Sequence, residues 1–222
     1  MMLLNACPGG SVSNYMVHLS KGNTALSITL TSITTLLAVV TTPLIFTALA
    51  QVFPYTAAFL KTIEVSPWGI IQSIALLIVL PLGTGMLVKA SFPKFTNRIK
   101  SPISALSMLI LFGFVAVAVI NNRENLMQYL GCVFVIVTLH NLLALSGGYG
   151  FAKLMGLSNA DAQAVSIETG IQNTALGLAI TFKFFDGLGG MAMVLAWWGI
   201  WHLLSGFLFA MIWRRLYLLN PK

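Results

Sequence analysis

Apolar runs of about 20 residues, separated by short polar connectors, occupy most of this chain. They cover residues 23–52, 68–88, 103–120, 129–149, 162–185 and 191–213. Each is long enough to cross a hydrocarbon layer about 30 Å thick. Inside that layer no water reaches the backbone, so a spanning segment must satisfy its own N–H and C=O groups as a helix. Only 8% of the 222 residues are charged, against about 25% in a soluble domain. So few charges cannot cover a water-facing globule. The chain is expected to be an all-α integral membrane protein, with six full transmembrane helices and a partial broken helix before residue 23. Its surroundings are the lipid bilayer, and a nucleic-acid reader is excluded.

The net charge of +7 fits this reading, because Lys and Arg gather on the cytoplasmic side of membrane proteins. Lys21, Lys89, Lys94, Arg98, Lys100, Lys153, Arg214, Arg215 and Lys222 fall on one side of the expected topology. Only Lys61, Arg123 and Lys183 fall on the other. The asymmetry places the C-terminus in the cytoplasm, in a multi-pass protein of the plasma (inner) membrane. Cys7 and Cys132 have neither metal-ligand spacing nor a disulfide framework. The opening MMLLNACPGG has no basic region ahead of its apolar residues, so it reads as a helix entered partway and not as a signal peptide. Trp68, Trp197 and Trp213 suit an interfacial belt, whereas Trp198 and Trp201 lie deeper and are expected to pack inside.

An ionisable group within a span is costly and marks function by default. Glu168 is the one carboxylate inside any of these runs. It lies in SIETGIQNT, where Gly170, Gln172 and Asn173 make a polar knot in an apolar helix. Glu168 and Gln172 are four apart and would share a face of a continuous helix, but Gly170 between them favours local unwinding. The bland alternative is a protonated Glu bonded to a neighbouring helix. A second break is expected at CPGGSVSN, from Cys7 to Asn14. Pro8 removes a backbone donor, and Gly9 and Gly10 accept dihedrals that other residues resist. Beyond it, Ser27 and Thr31 face the same way on the next helix. That helix also holds Thr24, Thr29, Ser32, Thr34, Thr35, Thr41 and Thr42, and hydroxyls commonly serve as interhelical contacts, so the pair alone discriminates little.

Two interrupted segments, one early and one late, point to a secondary-transporter site built from crossing broken helices. Unwound carbonyls with hydroxyl, amide and carboxylate oxygens form a cage for a small hard cation, lacking the His and Cys that transition metals favour. One fixed negative charge suits sodium. A helix N-terminus at a break would offer its positive dipole end to an anionic substrate.

At these residues the sequence resembles the bile acid:sodium symporter family. The likeness rests on CPGGSVSN, on Gly22-Asn23-x-Ala25-Leu26-Ser27-x-x-x-Thr31 with Thr42-Pro43, and on Glu168-Thr169-Gly170-Ile171-Gln172-Asn173. The resemblance implies a ten-helix fold of two inverted repeats, with two discontinuous crossing helices and two sodium sites. Under it, the first site uses Ser13, Asn14, Ser27, Thr31 and Glu168. The second uses Glu168 and Gln172 with nearby carbonyls, and Ser11, Asn173 and His202 line the substrate cavity. His202 has the plain alternative of a hydrogen-bonded packing residue. Residues 1–53 and 127–215, with the second broken helix at 162–185, would form a core domain, and residues 66–121 would belong to a panel domain. The first break would be the family's fourth helix. The chain would thus be the C-terminal portion of the transporter, lacking three helices and with them one ligand of the second sodium site.

The implied function is sodium-coupled symport of an organic anion, bile-acid-like, keto acid or pantoate-like, by alternating access. Two alternatives stand beside it. Cys7 beside the first break could serve an arsenite or anion efflux transporter of a related type. The missing helices would also suit a membrane remnant that does not transport. An enzyme is not expected, because nothing pairs a nucleophile with its base.

Overall fold

The computed structural model describes residues 1–52, 67–121 and 123–219. Lys61 and Lys222, counted in the charge asymmetry, lie outside the described residues, as does the connector between residues 53 and 66. Among the described residues every regular element is an α-helix. They form α1 (Met2–Ala6), α2 (Val12–Leu19), α3 (Thr24–Val52), α4 (Pro67–Ser91), α5 (Pro93–Asn121) and α6 (Arg123–Leu154). These are followed by α7 (Asn159–Gly170), α8 (Thr174–Phe184) and α9 (Gly189–Leu219).

Four helices among the described residues are long and apolar enough to cross a membrane: α3, α4 over Ile71–Ser91, α6 over Gly131–Leu154, and α9. The expected run at 103–120 lies within α5. The run at 162–185 is split into α7 and α8, of 12 and 11 residues, each too short to span alone at 1.5 Å per residue.

The first break is narrower than the sequence suggests. Helix resumes at Val12, so Ser13 and Asn14 sit in the first turn of α2 and present their side chains from a regular helix. The second break is residues 171–173, with Ile171 extended. The two breaks meet. Gly9 and Gln172 form an antiparallel bridge, in which Gly10 N donates to Ile171 O at 2.8 Å and Asn173 N donates to Pro8 O at 2.8 Å. Each break thus satisfies the backbone groups that the other leaves without a helical partner, which an apolar medium demands.

Apolar packing surrounds this crossing. Leu3, Leu4 and Cys7 of the first segment join Phe46, Leu176, Leu178, Leu195 and Trp198 on one side. On the other, Met16 and Val17 join Ile167, Ile171 and Ala210. Outward faces carry exposed Leu36, Leu44, Leu80, Leu87, Leu143 and Leu208, as a lipid-facing surface requires. Trp198 is fully buried, as expected, with its ring edge-to-face on His140 at 5.3 Å. Trp201 is half-buried and packs on Phe134 at 5.2 Å.

Candidate functional site

The crossing brings polar side chains together in an otherwise apolar interior. Glu168, two residues before the end of α7, is 7% exposed. Its Oε2 accepts from Ser13 Oγ and faces Ser27 Oγ at 3.5 Å. Asn14 Oδ1 accepts from Ser27 Oγ at 2.8 Å and from Thr31 Oγ1 at 3.2 Å. Ser13 and Thr31 close the ring at 3.5 Å. Five of the residues singled out in the sequence therefore converge from three elements: Ser13 and Asn14 on α2, Ser27 and Thr31 on α3, and Glu168 on α7.

The structure also sorts the hydroxyls of α3. Ser27, Thr31 and Thr42 are buried and lie on one stripe. Thr29 and Ser32 are exposed and donate back to Ala25 O and Ile28 O, at 2.9 and 2.7 Å, which hides a polar group from lipid within its own helix.

Glycine is required where the first break touches the carboxylate. A Cβ on Gly9 would lie 2.0 Å from Glu168 Oε1, and one on Gly10 would lie 3.0 Å from Gln172 O. Glu168 Oε1 and Gln172 Oε1 are both buried and lack a hydrogen-bond partner. The Gln172 side chain donates from Nε2 to Thr169 O at 3.4 Å.

Two residues that the sequence did not single out as site residues hold the half-helix ends. A helix leaves its last carbonyls unsatisfied. Asn141 Nδ2 on α6 donates to Gly170 O at 2.8 Å, and Thr42 Oγ1 on α3 donates to Ala6 O at 2.6 Å. Both donors are buried. The signal available for Asn141 was a lone amide in the middle of an apolar run. Thr42 was visible only as part of the Thr42-Pro43 likeness.

No hydrogen bond joins the three residues assigned to substrate to one another. Ser11 is exposed at the start of α2 and makes no capping bond. Asn173 caps α8, its Oδ1 accepting from Leu176 N at 3.1 Å. His202 is 6% exposed, buried on α9 with Nδ1 at 3.4 Å from Thr174 Oγ1. None of them lines the cavity of about 340 Å³ between α6 and α9, whose walls include Thr138, Asn141, Trp201 and Ser205. Cys7 lies in the apolar cluster, apart from the oxygens. Among the described residues no group of three His, Cys, Asp or Glu side chains could hold a metal. The donor set is hydroxyl, amide and carboxylate oxygen, the chemistry of a hard cation.

A multi-pass helical membrane protein with an oxygen-lined crossing of two broken helices belongs structurally with the secondary transporters. The particular family follows from comparison with known proteins: the model of the Sodium Bile acid symporter family matches residues 1–129, and the chain belongs to that family. It is 36% identical over 215 residues to the uncharacterized sodium-dependent transporter YocS of Bacillus subtilis, covering 97% of this chain and 64% of that one. A probable chloroplastic sodium/metabolite cotransporter of rice, BASS2, is 32% identical over 213 residues, covering 89% of this chain and 48% of its own. Human sodium/bile acid cotransporter 4 is 27% identical over 219 residues, covering 96% of this chain and 49% of its own. The chain thus spans less than two thirds of these relatives.

Proposed function

We propose that this protein carries out sodium-coupled symport of an organic anion across the plasma membrane, with its C-terminus in the cytoplasm. The observation that carries the reading is the convergence of Ser13, Asn14, Ser27 and Thr31 on the Glu168 carboxylate, inside a membrane protein whose named relatives are sodium-dependent transporters. Those hydroxyl and amide oxygens, with Glu168, would hold the first sodium. Its charge neutralises the buried carboxylate, which is otherwise costly to keep in the membrane. A second sodium would use Glu168 and Gln172, whose Oε1 atoms lack hydrogen-bond partners and are available to a cation. With both breaks fixed by the ions, the positive end of α2 beside Ser11 and the α8 cap Asn173 would meet the anion, with His202 supporting α8 from behind. The six runs would each cross the bilayer, within a ten-helix inverted-repeat transporter. Alternating access would move the core (1–53 and 127–215) against the panel (66–121).

Sodium-dependent anion uptake in proteoliposomes tests the reading, with choline replacing sodium in the control. Glu168→Gln is expected to abolish the sodium dependence. Unchanged uptake and sodium dependence in that variant would refute it. Sodium binding without uptake of any organic anion would assign the chain to the non-transporting class. The efflux reading gains nothing from Cys7, which packs among apolar side chains.

A further inference from the structure

A polar clasp lies outside the crossing, where the turn between α2 and α3 meets the start of α7. Lys21 adopts a left-handed conformation, with φ of 65°, and the turn brings Gly22 and Asn23 against α7. A Cβ on Gly22 would lie 3.2 Å from Ala160 O. Asn23 N donates to Ala160 O at 3.0 Å, and Asn23 Nδ2 donates to Asp161 Oδ1 at 2.7 Å.

Both clasp residues also take part in helix caps, Asn23 as the cap of α3 and Asp161 as the partner of Ser158, the cap of α7. Asn23 Oδ1 accepts from Leu26 N at 3.0 Å, at the start of α3. Asp161 Oδ2 accepts from Ser158 Oγ at 2.7 Å, while Asp161 N donates to Ser158 Oγ at 3.1 Å, at the start of α7. One amide and one carboxylate therefore fix two helix starts and bind them to each other. Lys153 donates to Leu157 O and Asn159 Oδ1, so the partner the clasp gives Asp161 is an amide.

From this clasp the two helices run directly to the oxygen cluster. Ser27 is one helical turn beyond Asn23, about 6 Å along α3, and Glu168 is about 10 Å along α7 from Asp161. The cluster draws Ser27 and Thr31 from α3 and the carboxylate from α7. A slide of one helix along the other changes every distance between them, and a binding constellation tolerates only about 0.5 Å of such error.

We propose that Asn23 and Asp161 are positioning residues of the cation site, setting the register of α3 against α7 and hence the reach of Ser27 and Thr31 to Glu168. The proposal rests on the sodium reading of that cluster. Asn23→Asp sets two carboxylates against each other while keeping the acceptor for Leu26 N–H. The swap Asn23→Asp with Asp161→Asn reverses the direction of the bond and keeps both caps.

The test titrates the purified full chain in lipid nanodiscs with sodium chloride against choline chloride, reading intrinsic tryptophan fluorescence, with thermal unfolding in choline as the measure of fold. Asn23→Asp is expected to raise the sodium half-saturation at least about fivefold, and the swap to return it near wild type. An unshifted half-saturation in Asn23→Asp, or a shift that the swap leaves in place, overturns the proposal. Should Asn23→Asp fail to fold, Asn23→Ser, which keeps the cap and loses the reach to Asp161, replaces it with the same two readings. Glu168→Gln run in parallel separates the two claims. If that variant loses its sodium response while Asn23→Asp shows no shift, the clasp alone falls. If Glu168→Gln responds to sodium as wild type does, the sodium site falls and the clasp with it.

Discussion

The two breaks that cross at the centre of this protein are built in opposite ways. The first, between α1 and α2, is written into its own residues: Pro8 lacks an N–H, and Gly9 and Gly10 leave room for the chain that crosses them. The second, Ile171-Gln172-Asn173, contains no proline and no glycine of its own. It is held open from outside by Asn141 on the Gly170 carbonyl and by the bridge to Gly9 and Gly10, while its own Asn173 caps the helix that follows. The first break gives close approach, and the second brings the charge. One is a property of the backbone and the other a property of the assembly.

Substitutions can pull these two apart. The largest effect is expected at Gly9→Ala, whose Cβ would overlap Glu168 Oε1. That oxygen ends a flexible side chain, so the carboxylate can swing away and the fold should survive while the site does not. Sodium affinity should fall by about tenfold or more, the equivalent of 1.4 kcal/mol, with the thermal midpoint in choline nearly unchanged. A large drop in that midpoint would show that Gly9 serves the fold instead. Gly10→Ala is the counterpart, because it meets the backbone carbonyl of Gln172, which cannot turn aside. Its expected cost is about 1–3 kcal/mol of stability, read as a lowered unfolding midpoint with or without sodium.

Next comes Asn141→Leu, which leaves the Gly170 carbonyl buried and unpartnered at a cost of about 1–3 kcal/mol. Thr42→Val removes the matching cap on Ala6 but should cost less, about 1 kcal/mol, because Pro8 and the glycines keep that break open regardless. A larger loss at Thr42 than at Asn141, by thermal unfolding in the same lipid, would contradict the contrast between the breaks. Thr29→Val and Ser32→Ala on the lipid face of α3 should stay within about 0.5 kcal/mol of wild type and leave the sodium response intact. They separate ornamental hydroxyls from those of the site.

Helical character, membrane residence and the first break were legible in the chain, since they follow from local physics, namely apolar length and the conformations open to Pro and Gly; the second break was legible only as a polar knot around a costly buried carboxylate. The five oxygen-bearing residues of the Glu168 cluster were also legible, though only with a family likeness to choose Ser27 and Thr31 among ten hydroxyls on one helix. The boundaries of the first break were not. Ser13 and Asn14 belong to a helical turn, which polar residues beside two glycines do not announce. The role of Asn141 escaped as well, because an amide in an apolar run shows a need for a partner but not which partner it finds.

What the sequence alone determined is where the chain must be helical and where it cannot be, because lipid forces each segment to satisfy its own hydrogen bonds wherever its residues permit. What only the tertiary structure decided is which groups meet at the interruptions. The bridge between Gly9 and Gln172, the cap from Asn141 and the clasp of Asn23 with Asp161 join residues more than 25 positions apart. No local preference encodes such contacts. They exist because a broken helix in an apolar medium must find its missing partners on another segment, and the packing of the other helices determines which segment that is.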